Sequence, residues 1–158
     1  MNILIVTPHF YPENFRINDF AEEFIIRGHK VTVLTAIPDY PSGKYYVGYG
    51  LFKKIREKYN GIQIYRTPLI PRGSGSNLRL ALNYISLLIC SMFTSFFVLK
   101  KQIDIIFIFG VSPVTIGLPA IFIKKIKKIP ICLWVLDLWP ESVSSAGNLK
   151  SNLIPKIL

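Results

Sequence analysis

The sequence predicts an α/β fold, a doubly wound, Rossmann-like parallel sheet within a single domain. Short apolar runs alternate with segments of helical period, which is the pattern of strands joined by crossover helices. The length, 158 residues, suits one domain. Polar and aromatic residues collect just after each apolar run, where the carboxyl ends of parallel strands would present them.

Residues 2–6 form a continuous apolar run closed by Pro8, as in a strand buried on both faces. From Ile17 the period changes. Ile17, Phe20, Ala21, Phe24 and Ile25 share one helical face, and Asp19, Glu22 and Glu23 occupy the other. Glu23 can pair with Arg27 one turn on, and Gly28 supplies a left-handed stop. Residues 30–35 are β-branched and read as the second strand, which completes a right-handed βαβ unit. The alternation continues with a strand at 62–66, a long helix at 78–99, a strand at 103–109, a helix at 114–124 and a fifth strand at 131–135. Pro130 is acceptable as a strand's first residue, whereas Pro119 should kink its helix or delay its start. The expected strand order is 3-2-1-4-5.

Residues 80–99 carry no charge and are long enough to cross a bilayer. Asn83, Ser86, Cys90, Ser91, Thr94 and Ser95 fall close to one helical face. That face fits a helix on a sheet and equally a small-residue face in a membrane bundle. The flanking parallel strands need this segment as their crossover, so a soluble helix is expected.

Lys and Arg number 19 against 9 Asp and Glu, a formal net charge of +10, while 51% of residues are hydrophobic. The apolar content excludes disorder and collagen-like repeats, and the charge favours anionic partners. Cys90 and Cys132 lie in apolar runs and read as two buried, reduced thiols, without a disulfide scaffold or a clustered metal site. Residues 1–8 have no basic lead, and their apolar run is too short for a secretory signal. A cytoplasmic protein is expected. Lys53, Lys54, Arg56 and Lys58 follow an aromatic stretch at 45–49, and Lys124, Lys125, Lys127 and Lys128 flank Ile126. Such groupings suit peripheral contact with an anionic membrane at its inner face, or a solubilising surface. No nucleic-acid module is recognisable, so no nucleic-acid partner is expected.

The predicted rim gathers His9, Glu13 and Arg16 after the first strand and Asp39 and Tyr40 after the second. Arg66, Arg72 and residues 73–76 follow the third, Ser112 the fourth, and Asp137, Trp139 and Glu141 the fifth. Neither GxGxxG after the first strand nor GxxxxGK[ST] anywhere is present, which removes the main support for dinucleotide or P-loop chemistry. The Gly73-Ser74-Gly75-Ser76 stretch can cradle phosphate or be a plain loop. Arg16, at a helix start, reads as an anion ligand or as a solvated charge.

Phe10-Tyr11-Pro12-Glu13, Ala21-Glu22-Glu23-Phe24 and the run Arg27-Gly28-His29-Lys30-Val31-Thr32 resemble the opening of bacterial glycosyltransferases of the GT-B fold, family 4. Pro38-Asp39-Tyr40-Pro41-Ser42-Gly43, Ile64-Tyr65-Arg66-Thr67-Pro68 and Asp137-Leu138-Trp139-Pro140-Glu141-Ser142 narrow the resemblance. They are similar to the subgroup of fucosaminyl- and colanic-acid-type transferases of surface-polysaccharide (O-antigen or capsule) assembly. The similarity covers nearly the whole chain. It implies an acceptor-side N-terminal domain over 1–158, incomplete at its C-terminal end, with the donor-binding C-terminal GT-B domain absent. This chain alone is accordingly expected to be inactive. The substrates implied are a nucleotide sugar and a saccharide or lipid-linked acceptor, with no cofactor and no required metal. A non-catalytic membrane-associated or assembly protein that kept the fold is the alternative.

The resemblance places the loop after the first strand, with Glu13 and Arg16, near the donor phosphates, although the paired glycines common in the wider family are missing. Leu136 stands where the family often has His or Gln. Asp137 is the expected catalytic carboxylate, able to stabilise positive charge on the sugar carbon or to orient the acceptor hydroxyl. It also fits a helix cap ahead of Pro140, with Glu141 in the first turn. His9, Glu13, Arg16, Asp39, Tyr40, Ser112, Trp139 and Glu141 are the expected substrate-binding residues. Trp139 equally suits the core, and Asp39 and Tyr40 equally suit turn geometry.

Overall fold

A computed structural model describes residues 1–136 of the chain. Its elements run β1 (Asn2–Val6), α1 (Arg16–Ile26), β2 (Lys30–Ala36), β3 (Arg56–Tyr59), β4 (Ile62–Thr67), α2 (Asn77–Leu99), β5 (Ile105–Gly110), α3 (Gly117–Lys127) and β6 (Ile131–Val135). They build a doubly wound, Rossmann-like α/β domain whose six-stranded sheet has the order β3-β4-β2-β1-β5-β6. The five strands expected from the sequence take the expected order, and all their pairings are parallel.

The sheet is nevertheless mixed, which corrects the all-parallel expectation. Strand β3 pairs antiparallel with β4, with Tyr59 opposite Ile62. The cause is local. Asn60 and Gly61 both adopt positive φ, 44° and 83°, the conformation that a two-residue hairpin turn requires and that Asn-Gly supplies most readily. Part of the first basic grouping, Arg56 and Lys58, is therefore an edge strand, and charge on an edge discourages pairing with other chains.

Alternation along β1 divides the core. Leu4 and Val6 face α2 and α3, joining Leu34, Leu87, Val98, Ile106, Ile108 and Ile123. Ile3 and Ile5 face α1, joining Phe10, Ile17, Ala21, Val31, Val33 and Ile64. Helix α1 thus covers one face of the sheet, and α2 and α3 cover the other. Gly28 ends α1 at φ 81°, as its position predicts. Helix α2 provides the crossover from β4 to β5, and Ser76 caps it by accepting the Arg79 N–H. By length and composition α2 would also suffice to cross a membrane. Helix α3 starts late: a single 3-10 turn at Val114–Ile116 precedes Gly117. Pro119 then sits in the first turn, where its missing N–H breaks no helical hydrogen bond.

Arg66 lies inside β4 and is 1% exposed, so it is no part of a loop rim. Its guanidinium donates to the Ala36 and Tyr11 carbonyls and pairs with Glu57 of β3. One buried cation therefore fastens the edge strand and the loop after β1 to the sheet. Arg66→Met should lower unfolding free energy by about 3–5 kcal/mol, because Glu57 loses its cation and keeps only the Tyr49 hydroxyl, and two carbonyls lose a donor. A urea midpoint unchanged from the parent would contradict this role.

Candidate functional site

Because β1 and β2 are adjacent and parallel, with Val6 opposite Leu34, the loops that follow them leave the same edge side by side. The loop after β1 is shaped from within. Asn18, in the first turn of α1, accepts the Tyr11 N–H (3.1 Å) and donates to the Glu13 carbonyl (2.7 Å). This turns the Glu13 side chain inward, where it is 1% exposed. Its Oε1 accepts the backbone N–H groups of Asp39 (3.0 Å) and Tyr40 (2.8 Å), and its Oε2 lies 2.9 Å from His9 Nδ1. Each hydrogen bond to a carboxylate contributes on the order of 1.5–3 kcal/mol, so three donors compensate its burial.

Glu13 can only accept and the Arg72 guanidinium can only donate, so the two contacts together fit a His9 ring with its proton on Nδ1 and an accepting Nε2. Arg72 Nη2 lies 3.3 Å from that nitrogen. The His9 ring stacks on Phe15 at 4.7 Å between centroids and meets Tyr40 at 5.2 Å. Tyr40 is half-exposed at the rim.

Asp39 comes from the loop after β2 and is also 1% exposed. Its Oδ2 accepts the Arg72 N–H (3.0 Å) and the Asn83 side-chain amide (3.3 Å). Burial pushes its pKa above the ordinary 3.8 and the Glu13 carboxylate adds to this, while the Arg72 hydrogen bond and charge oppose it. Gly43 closes the loop against its neighbour. Its carbonyl accepts the Gly73 N–H at 2.9 Å, and a Cβ at Gly43 would run into the Gly73 carbonyl.

His9, Glu13 and Asp39 are spaced to hold a metal ion. Their chemistry is otherwise committed, because both Glu13 oxygens and His9 Nδ1 are engaged with one another or with backbone. The Arg72 guanidinium supplies the positive charge instead. Its Nε is buried without a hydrogen-bond partner among the described residues, and the rings of Tyr40 and Tyr84 flank it at 5.7 and 5.8 Å. The half-buried Arg72 guanidinium, beside an imidazole and two tyrosines, has further N–H groups that suit an anionic ligand.

Four residues expected from the sequence therefore meet: His9, Glu13, Asp39 and Tyr40. Arg16 stands apart, 75% exposed and 3.6 Å from Asp19, in a cleft it shares with Phe20, Phe109 and Trp134. Ser112 follows β5, half-buried, just before Pro113. Asp137, Trp139 and Glu141 lie outside the described residues. Arg72, which the sequence places on the rim without a binding role, and Asn83, which it places only on a face of the long helix, complete the cluster. The amide of Asn83, on the same face of the long helix as Ser91, Thr94 and Ser95, was the signal for that residue.

Asp39→Asn keeps an oxygen for Arg72 and Asn83 and removes the buried charge. Folding raises this carboxyl's pKa, so the folded chain holds the proton more tightly than the unfolded one. Its contribution to stability is greatest below 3.8 and is lost as pH rises through the raised folded value. The variant should lose that pH dependence and melt higher at neutral pH, by about 2–4 °C for each kcal/mol relieved. Thermal melts from acid to neutral pH with no difference between the two proteins would contradict the assignment.

No protein-family model and no curated protein matches the chain. Among solved structures, the C-terminal domain of a hydrogenase from Pyrococcus furiosus is similar over 84% of this chain and 89% of that one, at 17% identity and a TM-score of 0.49.

Proposed function

We propose that this chain is the acceptor-side half of a GT-B sugar transferase, acting between a nucleotide-sugar donor and a saccharide or lipid-linked acceptor of bacterial surface-polysaccharide assembly. The observation that carries the reading is the cluster of buried His9, Glu13 and Asp39 with half-buried Arg72. Two of its members, Glu13 and Asp39, fall on the stretches Phe10-Tyr11-Pro12-Glu13 and Pro38-Asp39-Tyr40-Pro41, whose wording resembles that family. Its position agrees with the rule that open parallel sheets bind ligands beyond the carboxyl ends of their strands.

In this reading the acceptor's anionic group draws the Arg72 guanidinium off His9 Nε2, and the freed lone pair accepts the hydrogen bond of the hydroxyl that receives the sugar. The hydroxyl oxygen gains the bond to the anomeric carbon that the nucleoside diphosphate gives up as it departs, and the hydroxyl proton passes to His9 Nε2. Glu13 touches neither substrate. It positions His9 and the Asp39–Tyr40 backbone. Asp137 remains the proposed carboxylate for the positive charge on the sugar carbon.

The test is transfer of labelled sugar from a panel of nucleotide sugars to lipid-linked acceptor, using the chain joined to any second domain encoded after it. His9→Ala should lower kcat/KM about 10²-fold or more, and Arg72→Ala should act mainly through KM for the acceptor. Absence of transfer with every donor, or full activity in both variants, would overturn the reading and leave a binding or assembly role.

A further inference from the structure

Helix α2 has two unlike faces. Asn83, Leu87, Ser91, Thr94, Ser95 and Val98 are buried against the sheet. Thr67 donates to Thr94 Oγ1 at 2.8 Å, and the Asn83 amide donates to the Ile70 carbonyl at 2.7 Å as well as to Asp39. The other face is apolar and open. Ile85 is 54% exposed, Ile89 50%, Phe93 67%, Phe96 53% and Phe97 49%. Helix α3 extends this surface, with Phe122 edge-on to Phe96 at 5.3 Å and with Leu118 and Ile121 exposed. Phe93 is a ridge between two grooves of about 320 and 490 Å³, the first bounded by Phe52 and Arg56, the second by Leu118 and Lys125. Soluble monomers rarely expose so continuous an apolar area without a use for it.

Charge identifies what covers it. Arg56 lies over the Phe97 ring at 4.8 Å on one side, and Lys125 closes the groove on the other. Lys53, Lys54, Arg79 and Lys124 are exposed on the same hairpin and helices. No Asp or Glu occurs between residues 58 and 103. Asp19, Glu22 and Glu23 belong to α1, across the sheet. A second copy would bring cations against cations, whereas an anionic lipid surface complements both the charge and the aromatic ridge.

We propose that the α2–α3 face docks on an anionic bilayer, with α2 lying in the interfacial plane rather than crossing it. Crossing would pull Thr94, Ser91 and Asn83 off the sheet and strip Asp39 of its amide donor. Lying flat inserts Phe93, Phe96 and Phe97 and keeps every buried contact. The inference is independent of sugar transfer, since His9, Asp39 and Arg72 are not part of this face.

Sedimentation of the 158-residue chain with phosphatidylcholine vesicles, with and without phosphatidylglycerol, tests it. Partition should favour the anionic vesicles at least about tenfold and weaken with added salt. Alkaline carbonate should release the bound protein. Phe93→Glu should reduce partition about tenfold or more with unchanged far-ultraviolet circular dichroism. Should that variant fail to fold, the exposed pair Lys124→Glu/Lys125→Glu decides by the same readout. Equal partition into neutral and anionic vesicles, retention after carbonate, or dimerisation without vesicle binding would each overturn the proposal.

Discussion

The Glu13 carboxylate is the contact on which the rim depends. It is almost wholly buried, and it survives there because two backbone N–H groups from the neighbouring loop and the His9 ring meet it. A carboxylate without those donors would be strongly disfavoured, and those N–H groups without the carboxylate would be orphaned. Each side therefore requires the other. The result is a rigid junction between the loops after β1 and β2, made possible because parallel neighbours release their loops at one edge. The His9 tautomer, the place of Arg72 and the packing of Phe15 and Tyr40 against the His9 ring all follow from that junction.

Much of this was legible in the residues. Alternating periods gave the strands and helices, Gly28 marked a helix end, and the crossover logic placed α2 between β4 and β5. The hairpin is equally written in Asn60-Gly61, but the lysines and arginine before it suit a solvated charged surface as well as an edge strand. His9, Glu13, Asp39 and Tyr40 were legible because polar groups beside a predicted strand end have few structural reasons to cluster. Arg72 and Asn83 were harder. Their roles arise from the approach of elements more than 30 residues from Asp39, 33 and 44 residues away along the chain, and no local pattern encodes such an approach. Arg66 stands last in the strand that the sequence predicts, whereas β4 runs on to Thr67, and burial with Glu57 gives its cation a structural task.

Helix α2 connects the two features of the molecule. Near its start Asn83 reaches the Asp39 carboxylate, and through the rest of its length Thr94 and Ser95 seat it on the sheet while phenylalanines cover its outer side. The small and hydroxylated residues that would suit a membrane bundle are used on the sheet. That use sets the orientation of the apolar face and ties it rigidly to the rim, so a bilayer beneath α2 and a ligand beside Asp39 would hold a fixed relation.

The protonation of His9 reports on the junction most directly. The chain contains two histidines, His9 and His29, so long-range nitrogen–proton correlation spectra can be assigned by substituting His29. With Glu13 accepting from Nδ1, the His9 ring should carry its proton on Nδ1 and show an unprotonated Nε2, and Glu13→Ala should abolish that preference. A ring protonated at Nε2 in the unaltered chain, with Nδ1 bare, would contradict the account.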